Sequence, residues 1–329
     1  MNCDSRHFQL WPESLRGSVA MWEAPRTMDD HSIGSLPFQN ILHLTDFSAC
    51  SDGALAWASG IARANHAKLS LLHVVVPDAL TYMTPASVAA LDLQEKWAQE
   101  QMQRVEEQLK DLQDETIVAR GRDVWSSVEA KLKLLKSDLI VLGTHGRTGL
   151  RKILMGSVAE TVLRSSAVPV MTVGPAVPHD LVGDGRFHRV LLATDFAAGS
   201  TEAACYAMCV AQRDDAELFL VHACKKRKQA GSDKGWELSV AEVMHRLHET
   251  IPHDEKLRHR PEAIVEYGKP EERIVEVAKR READLIVMGV RNTTHLFAAT
   301  HLEIGTTRSV VAQAPCPVLT IRPKVRQAA

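Results

Sequence analysis

The sequence has few features of membrane, secreted or nucleic-acid-binding proteins. Its 329 residues include no apolar run of the roughly 18 residues needed to cross a bilayer. Opposite charges nearly cancel, with 39 Lys and Arg against 41 Asp and Glu, so no strong positive field favours nucleic acid or an anionic membrane. The stretch 1–35 lacks the continuous apolar segment of a secretory signal. We therefore expect a cytoplasmic protein.

Cysteine is scarce, and its spacing indicates neither a disulfide framework nor a zinc site. The six cysteines include no C-x-x-C pair, and a chain of this length does not depend on disulfides for its core. Cys205 and Cys209 lie one helical turn apart, a spacing that could also serve a metal ion. We expect both to be buried as small hydrophobic side chains, and we predict no metal site.

An internal repeat is the strongest feature that the sequence does have. Four segments recur in the same order at offsets of 146 to 149 residues. The matching segments are Thr45-Asp46-Phe47 with Thr194-Asp195-Phe196, Leu72-His73 with Val221-His222, 138–141 with 284–287, and Val168-Pro169-Val170 with Cys316-Pro317-Val318. A period this long indicates duplicated domains and not a solenoid.

The repeat predicts how the chain is divided. Residues 1–36 show no readable periodicity, and we expect a disordered N-terminal extension there. The first domain is predicted over 37–174 and the second over 187–323. Between them, the segment 175–186 contains two prolines and two glycines and is typical of a linker. A short tail, 324–329, follows the second domain.

Each copy alternates apolar strands with amphipathic helices. In the first copy we predict strands over 40–45, 68–76, 115–119, 138–142 and 168–173, and helices over 51–66, 85–111, 124–136 and 157–165. Strands that are apolar throughout indicate a parallel sheet covered by helices on both faces, which is a doubly wound α/β domain. Ligands of such sheets bind at the carboxyl ends of the strands, so Asp46, the end of the second strand and the loop after Leu142 should converge.

The loop after Leu142 has the pattern expected of an anion cradle. It has the form G-x2-G-x9-G-S, through Gly143, Gly146, Gly156 and Ser157. Gly143 and Gly146 have no Cβ atom, so backbone N–H groups there could approach phosphate oxygens closely. Gly156 and Ser157 open the next helix, whose free N–H groups and dipole favour an anion, and Ser157 could also cap that helix. Three basic residues of the loop would add positive charge: Arg147, Arg151 and Lys152.

A glycine-rich surface loop with a solvated basic face is the alternative interpretation of this segment. With the repeated segments and the spaced loop, however, the chain resembles the universal stress protein family over roughly 37–323. The resemblance implies two tandem five-stranded parallel sheets of strand order 3-2-1-4-5 and pairing of the domains through strand five. It also implies an adenine nucleotide as ligand, ATP alone or with Mg²⁺.

The resemblance also implies which residues contact the nucleotide. Asp46 would contact the nucleoside and Val74 the adenine, and the glycine loop would hold the phosphates. The implied set of binding residues is Thr45, Asp46, Val74, Leu142, Gly143, Gly146, Arg147, Gly156, Ser157 and Val158. No catalytic residue is implied.

Several of these positions have a plainer interpretation. Asp46 could be only a turn or helix-cap residue. His73 and His222 lie on strands, and we expect them to be core histidines with satisfied hydrogen bonds. His145 could touch a phosphate or could equally be solvated.

The second copy departs from the loop pattern. Asn292 stands where the second glycine should be, and Ile304 and Gly305 replace the Gly-Ser helix opening in a loop two residues longer. An alternative alignment keeps a Gly-Thr opening in a loop that is longer still. Glu303 brings negative charge near the phosphate position, and Ala223 replaces the adenine-contacting valine. We therefore expect the second copy to hold no triphosphate and to serve as a structural or regulatory partner.

These features favour a cytoplasmic ATP-binding protein of the stress response, with regulation of an unknown protein partner as its role. A weak ATP hydrolase and a nucleotide-independent interaction module are the alternatives. We do not expect an enzyme beyond weak ATPase activity, because the loop contains no nucleophile beside a base. The apolar strands over 168–173 and 316–321 are expected at sheet edges, which tend to be paired. We therefore expect the two copies to pair with each other, or two chains to exchange these edges, and we favour a homodimer of the tandem chain.

Overall fold

The computed structural model describes residues 38–77, 84–146, 155–178, 184–224, 240–251, 257–290 and 301–323. The elements of the first domain are β1 Asn40–Leu44, α1 Ala49–Asn65, β2 Lys68–Val75, α2 Pro85–Gln108, β3 Asp114–Arg120, α3 Val124–Leu135, β4 Leu139–Gly143, α4 Ser157–Ser165 and β5 Val170–Val173. The elements of the second domain are β6 Arg189–Ala193, α5 Ala198–Asp214, β7 Glu217–Cys224, α6 Val240–Thr250, β8 Glu262–Tyr267, α7 Pro270–Arg280, β9 Leu285–Gly289, α8 His301–Gln313 and β10 Val318–Ile321.

The predicted alternation of strands and helices is confirmed, with element ends that differ by a few residues. The largest difference in the first domain is at the end of α2, which was predicted to continue to residue 111. The chain leaves the helix at Leu109, whose side chain is buried in the core. The helix therefore ends at a residue that belongs to the core. None of the described helices is long and apolar enough to cross a bilayer.

All ten strands of the described chain form one sheet, in the order β3-β2-β1-β4-β5-β10-β9-β6-β7-β8. Within each domain the strands are parallel and follow the predicted order 3-2-1-4-5. The domains join through antiparallel pairing of β5 with β10, where Met171 lies opposite Leu319. Threonine hydroxyls reinforce the junction, since Thr172 Oγ1 donates to Val318 O and Thr320 Oγ1 to Val170 O. The two fifth strands are thus paired within one chain and lie at the centre of the sheet, not at its edge.

Helices cover both faces of this sheet. Residues of α1, α2, α5 and α6 pack on one face and residues of α3, α4, α7 and α8 on the other. Each face has a buried cluster that includes residues of both domains, so the apolar core continues through the β5–β10 junction.

Two aromatic pairs tie the domains together and are related by the repeat. Trp57 of α1 stacks on Phe187, with ring centroids 5.6 Å apart and planes within 2°. Tyr206 of α5 stacks in the same way on Phe38, at 5.9 Å. Each phenylalanine precedes the first strand of its domain and is almost completely buried. Because each helix of one domain packs on the chain entering the other, the pairs form an approximate twofold arrangement.

The repeated Asp-Leu-Ile-Val segments have a structural role at the amino end of the sheet. The Asp138 carboxylate accepts the backbone N–H groups of Gln39 and Asn40, at 2.8 and 3.1 Å. Asp284 accepts those of His188 and Arg189 in the second domain. Burial raises the pKa of Asp138 to about 6. These aspartates therefore fasten the first strand to the fourth, at the end of the sheet opposite the candidate site.

The cysteine prediction needs a correction. Cys205 and Cys209 lie on the same face of α5, but both are half-buried and not fully enclosed. Their environment is still largely apolar, because burial raises the pKa of Cys209 to about 11. In the part of the chain that the structure describes, no group of three or more His, Cys, Asp or Glu residues could hold a metal ion.

Candidate functional site

The chain leaves β1 through a tight turn at the carboxyl end of the sheet. Thr45 Oγ1 accepts the N–H of Phe47 at 3.0 Å, and Asp46 Oδ1 accepts the N–H of Ser48 at 3.1 Å. These bonds hold Phe47 at a φ of 60°, in the left-handed region that a phenylalanine rarely adopts. Ser48 in turn caps α1 by accepting the N–H of Ser51. Asp46 is therefore a turn residue, as the plainer interpretation predicted, and its second oxygen faces the loop after β4.

The second domain builds the same turn with a different helix cap. Phe196 has a φ of 61°, and Asp195 Oδ1 accepts the N–H of Ala197 at 2.9 Å. The alanine cannot cap α5, and the Ser200 hydroxyl instead donates to Asp195 Oδ1 at 2.6 Å. The carboxylate that survives in the second copy is thus engaged by the start of its own helix.

A histidine at the end of the second strand supports each turn. A ring nitrogen of His73, Nδ1, donates to Thr45 O at 2.8 Å, and the ring lies 4.7 Å from that of Phe47. His222 repeats both contacts with Thr194 and Phe196. The prediction that these histidines have satisfied hydrogen bonds is confirmed. They are half-buried, however, and lie nearer the surface than core residues do.

The outer neighbour of each phenylalanine differs between the domains. In the first domain Trp97 of α2 meets Phe47 edge-on at 5.3 Å. In the second domain the guanidinium of Arg246, on α6, lies 5.0 Å above the ring of Phe196. The first domain therefore carries an aromatic surface beside the turn, and the second a cation.

Gly143 at the end of β4 is required for packing. A Cβ atom there would lie 2.9 Å from the carbonyl carbon and oxygen of Cys50, at the start of α1. Gly289 has the same role in the second domain, where a Cβ would lie 2.4 Å from the Gly199 backbone. Both glycines let a helix N-terminus pack directly on the fourth strand. Sequence reasoning missed this role and assigned Gly143 to the approach of a phosphate.

Gly146 brings the loop after β4 against the turn after β1. A Cβ atom at this position would lie 2.8 Å from Asp46 Oδ2. The Ser48 hydroxyl also donates to His145 O at 3.4 Å, and His145 Nδ1 hydrogen-bonds the Thr144 hydroxyl at 2.8 Å. The convergence predicted from the topology of the sheet is therefore found for Asp46 and the loop.

The glycine loop returns to its starting point. Gly156 N–H donates to Thr144 O at 2.7 Å, and a Cβ on Gly156 would lie 3.9 Å from Gly146 N. The two ends of the loop thus lie side by side, while 147–154, with Arg147, Arg151 and Lys152, lie outside the described residues.

Helix α4 begins at this point without a side-chain cap. Its N-cap is Gly156, and among the described residues no side chain caps its first turn. The other helices of the first domain begin with a capping side chain: Ser48, Thr84 and Asp123. Ser157 is therefore not the cap, because it is the first residue inside the helix. Backbone N–H groups at a helix start that no described side chain caps are suited to an anion.

Apolar side chains are exposed at the same end of the sheet. Val158 is 39% exposed in the first turn of α4, and Val76 is 41% exposed just after β2. Val74 is half-buried and packs against the cluster formed with α3 and α4, where Leu142 is buried. The candidate site therefore combines uncapped N–H groups, a carboxylate and exposed valines.

The comparisons with known proteins agree with this architecture. The model of the universal stress protein family matches residues 37–174 and 186–322. The chain belongs to this family. It is 26% identical to a universal stress protein of Mycolicibacterium smegmatis over 306 residues, which cover 86% of this chain and 97% of that relative. A universal stress protein of Thermus aquaticus is 34% identical over 139 residues, or 41% of this chain and 99% of the relative.

A solved structure of the family has the same fold over most of the chain. It is a universal stress protein from Archaeoglobus fulgidus, with a TM-score of 0.66 and 23% sequence identity. The similarity covers 87% of this chain and 99% of that one. The shared fold therefore extends over both domains of this chain.

In this member of the family, the second domain opens its fourth helix differently. Helix α8 begins at His301, so Gly305 lies inside the helix about one turn from its start. The prediction that Ile304 or Gly305 opens the helix is wrong, since an additional turn precedes both. Residues 291–300, with Asn292, and the side chain of Glu303 lie outside the described part of the structure. Ala223 is half-buried on β7, opposite Glu266 of β8.

Proposed function

We propose that this protein is a cytoplasmic ATP-binding regulator of the stress response, with the nucleotide held by the first domain. The observation that carries the proposal is the position of the uncapped start of α4. Gly156 lies there beside Gly146, which in turn touches the Asp46 carboxylate. This arrangement combines an anion site with a hydrogen-bond acceptor for a sugar hydroxyl at the switch point of a doubly wound sheet.

Each part of ATP has a matching group at this edge. The N–H groups of the first turn of α4, together with the helix dipole, favour phosphate. The loop that joins Gly146 to Gly156 adds Arg147, Arg151 and Lys152 by sequence. Val74, half-buried near the end of β2, would contact the adenine as the resemblance implies, and Val158 and Val76 are exposed apolar side chains at the same end of the sheet. Asp46 can accept from the ribose through the oxygen that faces the loop.

The second domain is proposed to act as a structural or regulatory partner without its own triphosphate. Its fourth helix starts an extra turn earlier, and its aspartate is held by Ser200 at the start of α5. The Gly-Ser opening that would receive a phosphate in the first domain is thus replaced by continuous helix. We expect one ATP per chain for this reason.

Calorimetric titration of the full, nucleotide-stripped chain with ATP tests the proposal. We expect one site per chain, weakened at least about tenfold by Gly156→Val, whose side chain would stand where the phosphate approaches. Gly305→Ala is the matched control in the second domain, because a Cβ there meets no described atom within 4 Å beyond its chain neighbours and its own helix backbone. ATP at 100 times its Kd should add about 2.7 kcal/mol to the free energy of unfolding.

Other outcomes would change the assignment. Two ATP molecules per chain would contradict a silent second domain. The absence of binding at any concentration, with no change in melting temperature, would favour the nucleotide-independent interaction module.

The assembly of the chain forms the second part of the proposal. Strands β5 and β10 pair within the chain, which leaves β3 and β8 as the edges of the ten-stranded sheet. A homodimer of the tandem chain therefore uses a surface other than the fifth strands. Sedimentation equilibrium of the full chain with and without ATP distinguishes this homodimer from a monomer.

A further inference from the structure

Helices α4 and α8 approach each other beneath the junction of the two domains. Arg322 Nη2, just after β10, donates to Leu163 O near the end of α4 at 2.8 Å. Arg308 Nη1 of α8 lies 3.6 Å from Glu160 Oε2 of α4. Glu160 and Arg308 stand at equivalent positions of the repeat, so they face each other across the approximate twofold axis. The duplication thus places an acid in one domain opposite a base in the other.

This ion pair is distinctive within the described part of the chain. It is the one salt bridge there that joins the two domains. The glutamate side chain is 26% exposed and the arginine 37%, so the pair is partly shielded from solvent. Glu160 has a second cation partner in its own helix, because Arg164 Nη2 lies 3.0 Å from Oε1. Loss of Arg308 from the pair would therefore leave the carboxylate still neutralised.

The pair lies close to the start of α4. Glu160 is in the first turn of that helix, where its backbone N–H donates to Gly156 O at 3.0 Å. The ion pair therefore places the Arg308 guanidinium beside the first turn of α4, at whose start the phosphates are proposed to bind. A long arginine side chain can move from Glu160 towards that start by a change of rotamer.

We propose that Arg308 of the second domain binds the distal phosphate of a nucleotide held at the start of α4. The inference rests on the proposed function. A guanidinium matches phosphate oxygens with paired N–H donors, and it leaves Glu160 with Arg164 as its partner. Nucleotides with more phosphates would then draw Arg308 from Glu160. The contact between α4 and α8 would differ between ATP and AMP, so the second domain would respond to phosphate number.

Titration of the full chain with ATP, ADP and AMP tests the role of Arg308. We expect Arg308→Gln to weaken ATP binding about tenfold, equal to about 1.4 kcal/mol, and to change AMP binding less than about twofold. Arg164→Gln is the matched control, because it removes a cation from the same carboxylate on the side away from the start of α4. This control should change the three affinities by similar small factors.

A second background separates contact with the phosphate from an effect through Glu160. In the Glu160→Gln variant, Arg308 has no carboxylate at position 160 to pair with. If Arg308→Gln still weakens ATP binding in this variant, the loss must come from a contact between Arg308 and the nucleotide. We expect the tenfold loss to persist in this background. Its disappearance there, or a parallel loss of ATP and AMP affinity, would overturn the proposal while leaving ATP binding by the wild-type chain intact. A wild-type chain that binds no nucleotide would overturn both proposals.

Discussion

Gly146 and Asp46 lie so close together that a Cβ atom at position 146 would be 2.8 Å from Asp46 Oδ2. The two residues come from opposite sides of the switch point, one after β4 and the other after β1. The distance shows that the glycine loop and the aspartate turn form one unit. A side chain at position 146 should therefore act first on the position of the carboxylate.

Gly146→Ala should weaken ATP binding about tenfold with little loss of stability. The clash is with the end of a flexible side chain, so the carboxylate can rotate away while the backbone stays in place. Calorimetry measures the affinity and thermal melting the stability. Asp46→Ala provides the control background, in which Gly146→Ala should have a smaller effect on ATP. If Gly146→Ala weakens ATP binding equally with and without Asp46, then the substitution does not act through the carboxylate.

Gly289→Ala and Gly143→Ala should both destabilise the protein, because the new methyl group meets backbone and not a movable side chain. We expect losses of about 1–3 kcal/mol in the free energy of unfolding, with the larger loss at Gly289, where the new Cβ would lie 2.4 Å from the nearest backbone atom against 2.9 Å at Gly143. Urea unfolding of the full chain measures both. If either variant is as stable as the wild type, then the helix that packs on that glycine can move away without a loss in the free energy of unfolding.

Gly305→Ala should have the opposite effect. The residue lies inside α8, and a Cβ atom added there would meet no described atom within 4 Å beyond its chain neighbours and the backbone of its own helix, so alanine removes the helix cost of glycine without a clash. The free energy of unfolding should rise by about 0.5–1 kcal/mol. Urea unfolding again measures it. A loss of stability would indicate that Gly305 lies at a helix start, as the sequence alone suggested.

His43 should make stability depend on pH. Its side chain is fully buried on β1, where Nδ1 donates to Val141 O at 3.1 Å, and burial lowers its pKa to about 4. The unfolded chain, with a pKa near 6.5, binds the proton more readily, so stability is lost as the pH falls from about 6.5 towards 4. The full loss would be about 3 kcal/mol.

His43→Leu should remove this part of the pH dependence. Leucine already occupies the equivalent strand position in the second domain, as buried Leu192. Urea unfolding at pH 4.5 and pH 7 measures the difference. The raised pKa of Asp138 gives the opposite slope, because the folded chain binds that proton more tightly, and it should cancel between variant and wild type. If the free energy of unfolding of His43→Leu changes between pH 7 and pH 4.5 as much as that of the wild type, then His43 is not the cause of the pH dependence.

Much of the architecture follows from local sequence patterns. The apolar strands and the repeat predict two doubly wound sheets, because right-handed crossovers leave few topologies for alternating strands and helices. The same rule brings Asp46 to the loop before any contact is known. The resemblance of the glycine loop to a known family supplies the nucleotide, which topology alone does not specify.

Contacts between distant parts of the chain could not be predicted in the same way. The sequence shows a glycine at 143 but not the Cys50 backbone that packs against it, and it shows Gly305 but not the extra turn of α8 that encloses it. Helix ends depend on which residues the tertiary structure buries, and local propensity is too weak to decide them.

The sequence by itself determined that the chain has two related domains, that their strands are parallel and that only the first keeps the complete glycine loop. Only the tertiary structure decided that β5 and β10 pair within one chain and not between two chains, and that Glu160 therefore faces Arg308. Duplication gives equivalent residues the same place in each domain. Which residues of the two domains contact each other across the approximate twofold axis depends on how the two copies pack. That packing is a property of the whole core and of no single segment.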